Sequence, residues 1–391
     1  MTTTSIPARL YAVTREVEPG RDLLDDLDAD GFAWWHHGMQ LVASGIAARV
    51  APGDAEASLR AIDTTDPLEL AGTGPLAVGA LPFDPDAPSS LVIPARIAGT
   101  RDGRAWVTEI GPAAVALAAA GAAPTRFSVN APGTRAEWHA AVDTALAAIE
   151  RGELEKVVLA REVLVEADIP FDVRDVARRL TTQQPGCFVY ASDGMVGASP
   201  ELLVRRHGTT VESRPVAGTT VADSEAALRA LAASVKDTRE HQFVVESIAH
   251  ALERLCDELE VAPVPDVAVF GPVAHLATPI RGHLRAQIPS ALELAQLLHS
   301  TPAVGGTPRA AALDAIRALE GFDRGRYAGP VGWVDARGNG EWAIALRGAE
   351  LDGSRARLVA GAGIIAGSDP EAEWAETQAK LEPMLRALVR P

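Results

Sequence analysis

The segment from Gly361 to Lys380 restricts the possible folds of this chain more than any other part of the sequence. It reads Gly-Ala-Gly-Ile-Ile-Ala-Gly-Ser-Asp-Pro-Glu-Ala-Glu-Trp-Ala-Glu-Thr-Gln-Ala-Lys, which predicts a glycine-punctuated strand, a tight turn and a helix. Ser368 at the N-cap, with Glu371 three residues later, predicts a capping box. Pro370 fits the first turn, because a helix does not use the N–H groups of its first residues.

Three charged side chains share one face of this predicted helix. Glu373, Glu376 and Lys380 are spaced i, i+3 and i+7, which places them on one stripe. Two carboxylates and an ammonium close to a Gly-x-Gly turn are suited to a hard cation and an anionic ligand. The same spacing also fits an exposed face with Glu–Lys pairs, so this segment alone leaves both interpretations open.

Composition and charge exclude several classes of function. The net charge is −16 and no Lys/Arg-rich run occurs, which argues against a nucleic-acid partner. Cys187 and Cys256 have no CxxC or histidine spacing, so neither a disulfide framework nor a zinc site is predicted. The N-terminus lacks an apolar signal region, and no apolar run approaches the roughly 18 residues of a membrane span. We therefore expect a soluble, cytoplasmic protein without a membrane partner.

The order of the predicted elements indicates the fold class. Residues 1–125 show no recognisable chemistry, and residues 126–391 carry the candidate site residues; we expect the two parts to form one structural domain. A long helix is predicted over roughly 224–260, and the turn Ala336–Gly340 predicts a late hairpin. Hairpins mixed with long helices predict an α+β fold with large antiparallel sheets flanked by helices, not a doubly wound parallel sheet.

A second predicted helix offers acids in the same spacing as the first. Asp237 and Glu240 are spaced i, i+3, and their face continues as apolar residues to Leu252. Carboxylates at the end of a buried stripe are costly unless they are paired or metal-bound. Two helices that each offer an acid pair suit an Mg²⁺ ion between them. Arg239 or Arg281 is the alternative partner.

Three further charged residues occur in segments where a charge is unexpected. Lys156 opens an apolar strand, either as an exposed edge residue or as a partly desolvated amine that acts as a base near neutrality. Glu201 lies in a small, apolar segment, either as a turn residue after Pro200 or as a carboxyl whose raised pKa lets it donate a proton. Arg347 ends a predicted strand beside small residues, which leaves room for a bidentate carboxylate contact.

Seven segments occur together in a characteristic order: Lys156-Val-Val-Leu-Ala-Arg, Ala198-Ser-Pro-Glu-Leu-Leu, Arg214-Pro-Val-Ala-Gly-Thr, Lys236-Asp with Glu240-His, Leu298-His-Ser-Thr-Pro-Ala-Val-Gly-Gly-Thr-Pro, Tyr327-Ala-Gly-Pro-Val-Gly-Trp and the Gly361 segment. With these segments the chain resembles the chorismate-utilising enzymes, and in order and spacing most resembles the isochorismate synthases among them. The resemblance runs from about residue 130 to the C-terminus. It implies layered antiparallel sheets flanked by helices, with chorismate as substrate and Mg²⁺ as cofactor.

The resemblance also implies roles for individual residues. Lys156 would be the base that activates water for attack on ring C2, and Glu201 the acid that protonates the departing C4 hydroxyl. Four acids would surround the Mg²⁺ ion, either directly or through water: Glu240, Glu376, Asp237 and Glu373. The remaining positions would bind substrate, with Arg347 and Tyr327 at the enolpyruvyl carboxylate: Gly218, Thr219, His275, Ala303, Tyr327, Arg347, Gly361, Gly363 and Lys380.

Relatives with other activities provide the alternatives. Anthranilate and aminodeoxychorismate synthases add ammonia and need no lysine to deprotonate water, so Lys156 argues against them. A non-catalytic, Mg²⁺-dependent binding protein is a further alternative, against which the presence of both Lys156 and Glu201 argues. Salicylate-forming relatives tend to carry a larger, hydroxyl-bearing residue at Ala303, so we expect a reaction that stops at isochorismate. We expect a monomer, and both siderophore and menaquinone synthesis remain open as destinations of the product.

Overall fold

The structure is a computed structural model that describes residues 10–36, 38–111, 122–285 and 288–389. The strands in the described residues are β1 (Tyr11–Val17), β2 (Phe32–His36), β3 (Met39–Val50), β4 (Asp63–Thr65), β5 (Leu76–Ala80), β6 (Leu91–Arg101), β7 (Arg104–Ile110), β8 (Phe127–Asn130), β9 (Lys156–Ala167), β10 (Phe188–Ser192), β11 (Met195–Ser199), β12 (Leu202–His207), β13 (Thr210–Arg214), β14 (Val216–Val221), β15 (Cys256–Val261), β16 (Asp266–Phe270), β17 (Val273–Ala277), β18 (Ile280–Leu284), β19 (Gly306–Thr307), β20 (Pro330–Asp335), β21 (Gly340–Ile344), β22 (Gly348–Asp352) and β23 (Arg355–Ile365).

The α-helices in the same residues are α1 (Ala55–Arg60), α2 (Arg135–Glu150), α3 (Val173–Gln183), α4 (Glu225–Ala233), α5 (Val235–Glu253), α6 (Ala291–Leu298), α7 (Arg309–Leu319) and α8 (Pro370–Val389). Two short 3₁₀ turns cover Leu23–Asp26 and Pro52–Asp54. None of the described helices is both long enough and apolar enough to cross a membrane.

Most strands join one large sheet, and the described part of this sheet has 20 strands. Its described pairings are antiparallel except for the pairing of β1 with β4. A second sheet has the order β14-β17-β16. The helices flank these sheets, so the predicted α+β class with large antiparallel sheets is confirmed. Strands from both predicted parts pair, β2 with β10 and β5 with β20; the division near residue 125 stays a prediction.

The pairing of β9 with β23 positions the site. Both strands are rich in Val, Leu and Ile and are almost entirely buried, as expected for a central pair with both faces covered. Their register places Lys156 opposite Ile365 and Val158 opposite Gly363. Helix α8 follows β23 and packs on it, while α5 packs on β14. The acids of both helices are therefore brought to the end of β9 that begins with Lys156.

The structure corrects three local predictions. The helix expected over 224–260 is two helices and a strand, because Ser234 ends α4 and its hydroxyl accepts the N–H of Asp237 to begin α5. The cap of α8 is Asp369, whose carboxylate accepts the N–H of Ala372. The hydroxyl of Ser368 instead accepts the N–H of Ile365. The late hairpin is confirmed, but its second strand ends at Ile344, so Arg347 lies in the connection that follows.

Candidate active site

Eleven of the predicted site residues line one cleft, which encloses about 600 Å³ when its opening to solvent is counted. Its wall also includes apolar side chains that no sequence pattern singled out, among them Val158, Val304 and Leu346. The predicted residues in its wall are Glu201, Gly218, Thr219, Glu240, His275, Ala303, Tyr327, Arg347, Gly361, Gly363 and Lys380. Segments that are far apart in sequence therefore meet at one place.

Lys156 is completely buried, with 0% of its side chain exposed, so its interpretation as an exposed edge residue is wrong. Its Nζ lies 3.0 Å from Oε1 of Glu240. The pair is ionic without hydrogen-bond geometry, and Nζ forms no hydrogen bond with any described residue. Gly363 makes room for the pair, because a Cβ there would lie 2.2 Å from the same carboxylate oxygen and 3.2 Å from Cε of Lys156.

Glu201 lies between β11 and β12 and is 1% exposed. Burial raises its pKa to about 8, although the positive charges of Lys156 and Lys380 act in the opposite direction. Oε1 of Glu201 has no hydrogen-bond partner among the described residues. A carboxyl group with this pKa keeps its proton at neutral pH and is able to donate it. The prediction of a raised pKa is confirmed.

Each of three glutamates at the site, of which Glu373 is buried and Glu240 and Glu376 are partly exposed, forms an ion pair with a lysine. Besides the pair of Lys156 with Glu240, Lys236 lies 2.8 Å from Glu373, and Lys380 lies 2.6 Å from Glu376. Burial and the neighbouring charge of Glu376 raise the pKa of Glu373. Burial opposes the charge of Glu240, but the ammonium of Lys156 outweighs it and lowers the pKa of that carboxyl.

The alternative arginine partners of these acids are wrong. Arg239 stacks over the ring of Phe243, with 5.8 Å between its guanidinium carbon and the ring centroid. Arg281 contacts Glu212 at 3.7 Å. Glu240, Glu373 and Glu376 therefore pair with amines rather than with guanidinium groups.

These glutamates fit a divalent cation by their chemistry. They supply carboxylate oxygens, which Mg²⁺ prefers, and the repulsion that raises the pKa of Glu373 would be relieved by a cation. Among the described residues, no three acidic, histidine or cysteine side chains lie close enough together to hold an ion as they stand. Asp237 is half-buried on α5, and a Cβ on Gly218 would lie 2.8 Å from its Cβ.

Arg347 lies in the wall of the same cleft. Its backbone is left-handed, with φ of 50°, and its Nη2 lies 2.7 Å from Nε2 of His275. Because a guanidinium only donates, Nε2 accepts and Nδ1 carries the proton, which it donates to the carbonyl oxygen of Gly218 at 3.0 Å. Burial and the charge of Arg347 hold the pKa of His275 well below its usual value. Among the described residues, no carboxylate forms an ion pair with Arg347.

The remaining predicted residues complete the wall. Gly218 sits at a β-bulge with φ of 66°, next to the direct pairing of Thr219 with His275. A Cβ on Gly361 would lie 3.2 Å from Oη of Tyr327. The carbonyl oxygen of Gly361 also accepts a hydrogen bond of 3.0 Å from Nζ of Lys380.

One residue at this site was overlooked by the sequence interpretation. Lys236 appears in a recognised segment, but no role follows from that segment. The available signal was composition, because the chain has three lysines and 33 arginines, and Lys236 is one of the three.

Comparison with known proteins gives consistent matches. A family model described as "Chorismate binding enzyme" matches residues 115–389. A MenF protein of Mycobacterium tuberculosis is 41% identical over 335 residues, which cover 81% of this chain and 87% of that protein. Isochorismate synthase EntC of Escherichia coli is 38% identical over 325 residues, covering 80% of each chain. The solved structure of the menaquinone-specific isochorismate synthase MenF of Escherichia coli has a TM-score of 0.84 at 26% identity, covering 99% of this chain and 97% of that one.

Proposed function

The chain belongs to the chorismate-binding enzyme family, and we propose that within this family it is an isochorismate synthase. Its substrate is chorismate, and its product is isochorismate. The reaction adds water at ring C2 and releases the C4 hydroxyl as water, so that substrate and product are isomers and the conversion is reversible. The relatives with the same activity in their names match about four fifths of the chain.

The observation that carries the proposal is the pair of Lys156 and Glu201. Lys156 is a buried amine whose Nζ forms no hydrogen bond with any described residue. In its neutral form it has a lone pair and N–H groups with which to orient a water molecule and take a proton from it as the base. Glu201 lines the cleft with a pKa of about 8, so it holds the proton that the leaving hydroxyl needs. Lys156 does not itself line the cleft, but its Nζ lies 3.0 Å from Glu240, which does. A base and an acid with opposite tasks at one site are what acid–base catalysis at neutral pH requires.

The two carboxylates of chorismate bind to different groups of residues. Glu240 and Glu376, with Glu373 and Asp237 beside them, would hold an Mg²⁺ ion, which supplies positive charge to the ring carboxylate. Arg347 binds the enolpyruvyl carboxylate, with Tyr327 nearby in the cleft wall. Two observations support this orientation: Arg347 has no ion pair with a described carboxylate, and the neighbouring charge of Glu376 contributes to the raised pKa of Glu373.

A product assay tests the proposed activity. Incubation with chorismate and Mg²⁺ at neutral pH, followed by chromatography, is expected to give the same mixture of chorismate and isochorismate from either starting compound, without salicylate fluorescence. Ammonium as the only added nucleophile is expected to give no amino product. Stoichiometric salicylate, or an amino product, would contradict the proposal.

Chelation tests the metal separately. Activity should vanish in EDTA and return with Mg²⁺, whereas Zn²⁺ should substitute poorly because the proposed ligands are all oxygens. Full activity in excess EDTA would remove the metal from the proposal but would leave the acid–base pair standing.

A further inference from the structure

The distribution of lysine in this chain is unusual. Three lysines occur beside 33 arginines, and all three lie at the candidate site, each paired with a different glutamate. Two of them have roles in the proposed function, since Lys156 is the base and Lys380 lines the cleft. The third, Lys236, has no role in the proposed reaction and, like Lys156, does not line the cleft, so neither acid–base chemistry nor contact with substrate explains why it is a lysine.

The surroundings of Lys236 show what it does. It lies in the first turn of α5, and its Nζ donates to Oε1 of Glu373 in the first turn of α8 at 2.8 Å. The side chain of Glu373 is 3% exposed, whereas that of Lys236 is 41% exposed. The ammonium also interacts electrostatically with Glu240 and Glu376. It is therefore a positive charge close to all three glutamates, on a stem that is free to turn toward solvent.

The choice of lysine over arginine has a physical consequence. An arginine binds a carboxylate through two parallel hydrogen bonds, whereas an ammonium is a compact point charge with a single contact. A cation that has to replace the side chain at Glu373 would therefore displace a lysine more easily than an arginine. Nearly all other ion pairs in the described residues of this chain use arginine. A lysine at position 236 is better suited than an arginine to release Glu373 when a cation binds.

We propose that Lys236 is a displaceable counter-ion that sets the affinity of the divalent-cation site through Glu373. The inference rests on the proposed Mg²⁺ site. In the absence of the ion, Lys236 compensates the buried charge of Glu373. When the ion binds, it takes over this compensation, and the ammonium of Lys236 competes with it. Lys236 is thus a positioning residue, whose effect is on the metal and not on the reacting atoms.

The test is a titration of the full-length protein with Mn²⁺ as a spectroscopic substitute for Mg²⁺, with the free ion measured by electron paramagnetic resonance. It is carried out without substrate and again with an equilibrated mixture of chorismate and isochorismate. Lys236→Met should lower the Kd for Mn²⁺ by about 3- to 10-fold, since one nearby positive charge is removed. Lys236→Arg should raise the Kd about 3-fold, because its two-point contact with Glu373 is harder to displace.

Arg239→Met is the matched control. It removes one positive charge from the same helix, but Arg239 is exposed and stacks on Phe243 without contacting Glu373. Its Kd should stay within about twofold of the wild-type value. A Kd that falls equally in Lys236→Met and Arg239→Met would overturn the role of the specific contact.

Thermal unfolding gives a second measurement that is independent of turnover. Lys236→Met should unfold at a lower temperature than the wild type without metal, because Glu373 loses its partner. Saturating Mg²⁺ should raise its Tm by more than it raises the wild-type Tm, since tighter binding to the native state stabilises more. An equal or smaller rise would contradict the inference.

The outcomes separate this inference from the proposed function. A wild-type protein that binds no Mn²⁺ under either condition overturns the metal site and the role of Lys236 with it. A wild-type protein that binds Mn²⁺, with an unchanged or higher Kd in Lys236→Met, overturns only the role of Lys236. If Lys236→Met does not fold, the Kd of Lys236→Arg for Mn²⁺ is the test. An unchanged or lower Kd in that variant overturns the inference.

Discussion

Two groups of charged residues at the site differ in whether they already have a partner of opposite charge. We call Glu240, Glu373 and Glu376 with their lysines the glutamate end, and Arg347 with His275 the Arg347 end. At one end Glu240, Glu373 and Glu376 are each already paired with a lysine at 2.6–3.0 Å. At the other end Arg347 has no ion pair with a described carboxylate, and its Nη2 donates to the neutral ring of His275 at 2.7 Å. The glutamates are therefore neutralised by lysines in the absence of a ligand, whereas the positive charge of Arg347 is not neutralised by a described carboxylate.

This difference separates binding from rearrangement. Arg347 is fixed by its hydrogen bond to His275, so an incoming carboxylate meets a preorganised partner and little ordering cost remains. A cation at the glutamate end would have to replace ammonium groups, so its binding would change the partners of residues next to Lys156, the proposed base. We expect changes at the Arg347 end to act mainly on substrate binding and changes at the glutamate end to act on the chemical step.

The largest expected effect is at the glutamate end. Lys156→Ala should reduce kcat by about 10²–10⁴-fold, the usual cost of removing a general base, while KM changes little. Steady-state kinetics with saturating Mg²⁺ measures it. Arg386→Ala, an exposed change on α8 that breaks only the pair with Glu382, is the control with wild-type kcat. Near-normal kcat in Lys156→Ala would remove its assignment as the base.

The second prediction concerns Glu201, the proposed acid. Wild-type activity should fall above about pH 8 as Glu201 loses its proton, given its pKa of about 8. Glu201→Gln should lose about 10²-fold or more in kcat and should lack this basic limb. A pH–rate profile between pH 6 and 10 measures both. An unchanged basic limb in Glu201→Gln would assign that limb to another group.

Glu201 also makes stability depend on pH. Its pKa is raised from the ordinary 4.5 to about 8 in the folded protein, so its contribution is full below about pH 4.5 and is lost as pH rises toward 8. Glu201→Gln removes this loss, so at pH 7.5 the variant should be more stable than the wild type, by about 4 kcal/mol at most. Chemical denaturation at pH 4.5 and 7.5 compares the two, and an advantage that does not grow with pH would contradict the raised pKa.

A smaller effect is expected at the Arg347 end. Arg347→Lys should lower kcat/KM by about 10- to 100-fold, mainly through KM, because a lysine cannot contact a carboxylate through two parallel hydrogen bonds. Arg357→Lys, which changes a pair with Glu162 outside the cleft, should be close to wild type. A decrease in kcat with an unchanged KM would contradict the expectation that changes at the Arg347 end act mainly on substrate binding.

The smallest expected effect is a change of product. Ala303 lies in the cleft wall, and a residue that holds the enolpyruvyl group against ring C2 would favour transfer of hydrogen from C2 and loss of pyruvate. Ala303→Thr should therefore produce a trace of salicylate, since misplacement by about 1 Å costs on the order of 100-fold in an orientation-dependent step. Salicylate fluorescence measures it. Lower activity with an unchanged product would show that Ala303 only packs its turn.

Local spacing in the sequence determined much of the site. Helical periodicity predicted that Glu373, Glu376 and Lys380 share a face, and the pair of Glu376 with Lys380 is observed at 2.6 Å. The same periodicity predicted that the face of Asp237 and Glu240 continues into buried residues, which is confirmed to Leu252. These predictions succeeded because an i, i+3 or i, i+4 relation depends only on the helix itself.

Local spacing gave wrong predictions where two neighbouring residues were equally suitable as a helix cap, or where an apolar pattern continued across a break between helices. Ser368 and Asp369 are both suitable N-caps, and the backbone that leaves β23 uses the hydroxyl of Ser368 for Ile365, which leaves Asp369 as the cap. The apolar pattern runs on through Ser234, but its hydroxyl begins a new helix there. Sequence patterns do not decide such choices, because the direction of the preceding strand or helix sets them.

The sequence by itself thus determined the order of the motifs, the α+β class and the faces of α5 and α8. Only the tertiary structure decided that Lys156 is buried against Glu240, that Lys236 compensates Glu373 and that Glu201 keeps its proton. Each of these depends on long-range contact, because the electrostatic environment of a charged group is set by the segments that surround it and not by its neighbours along the chain.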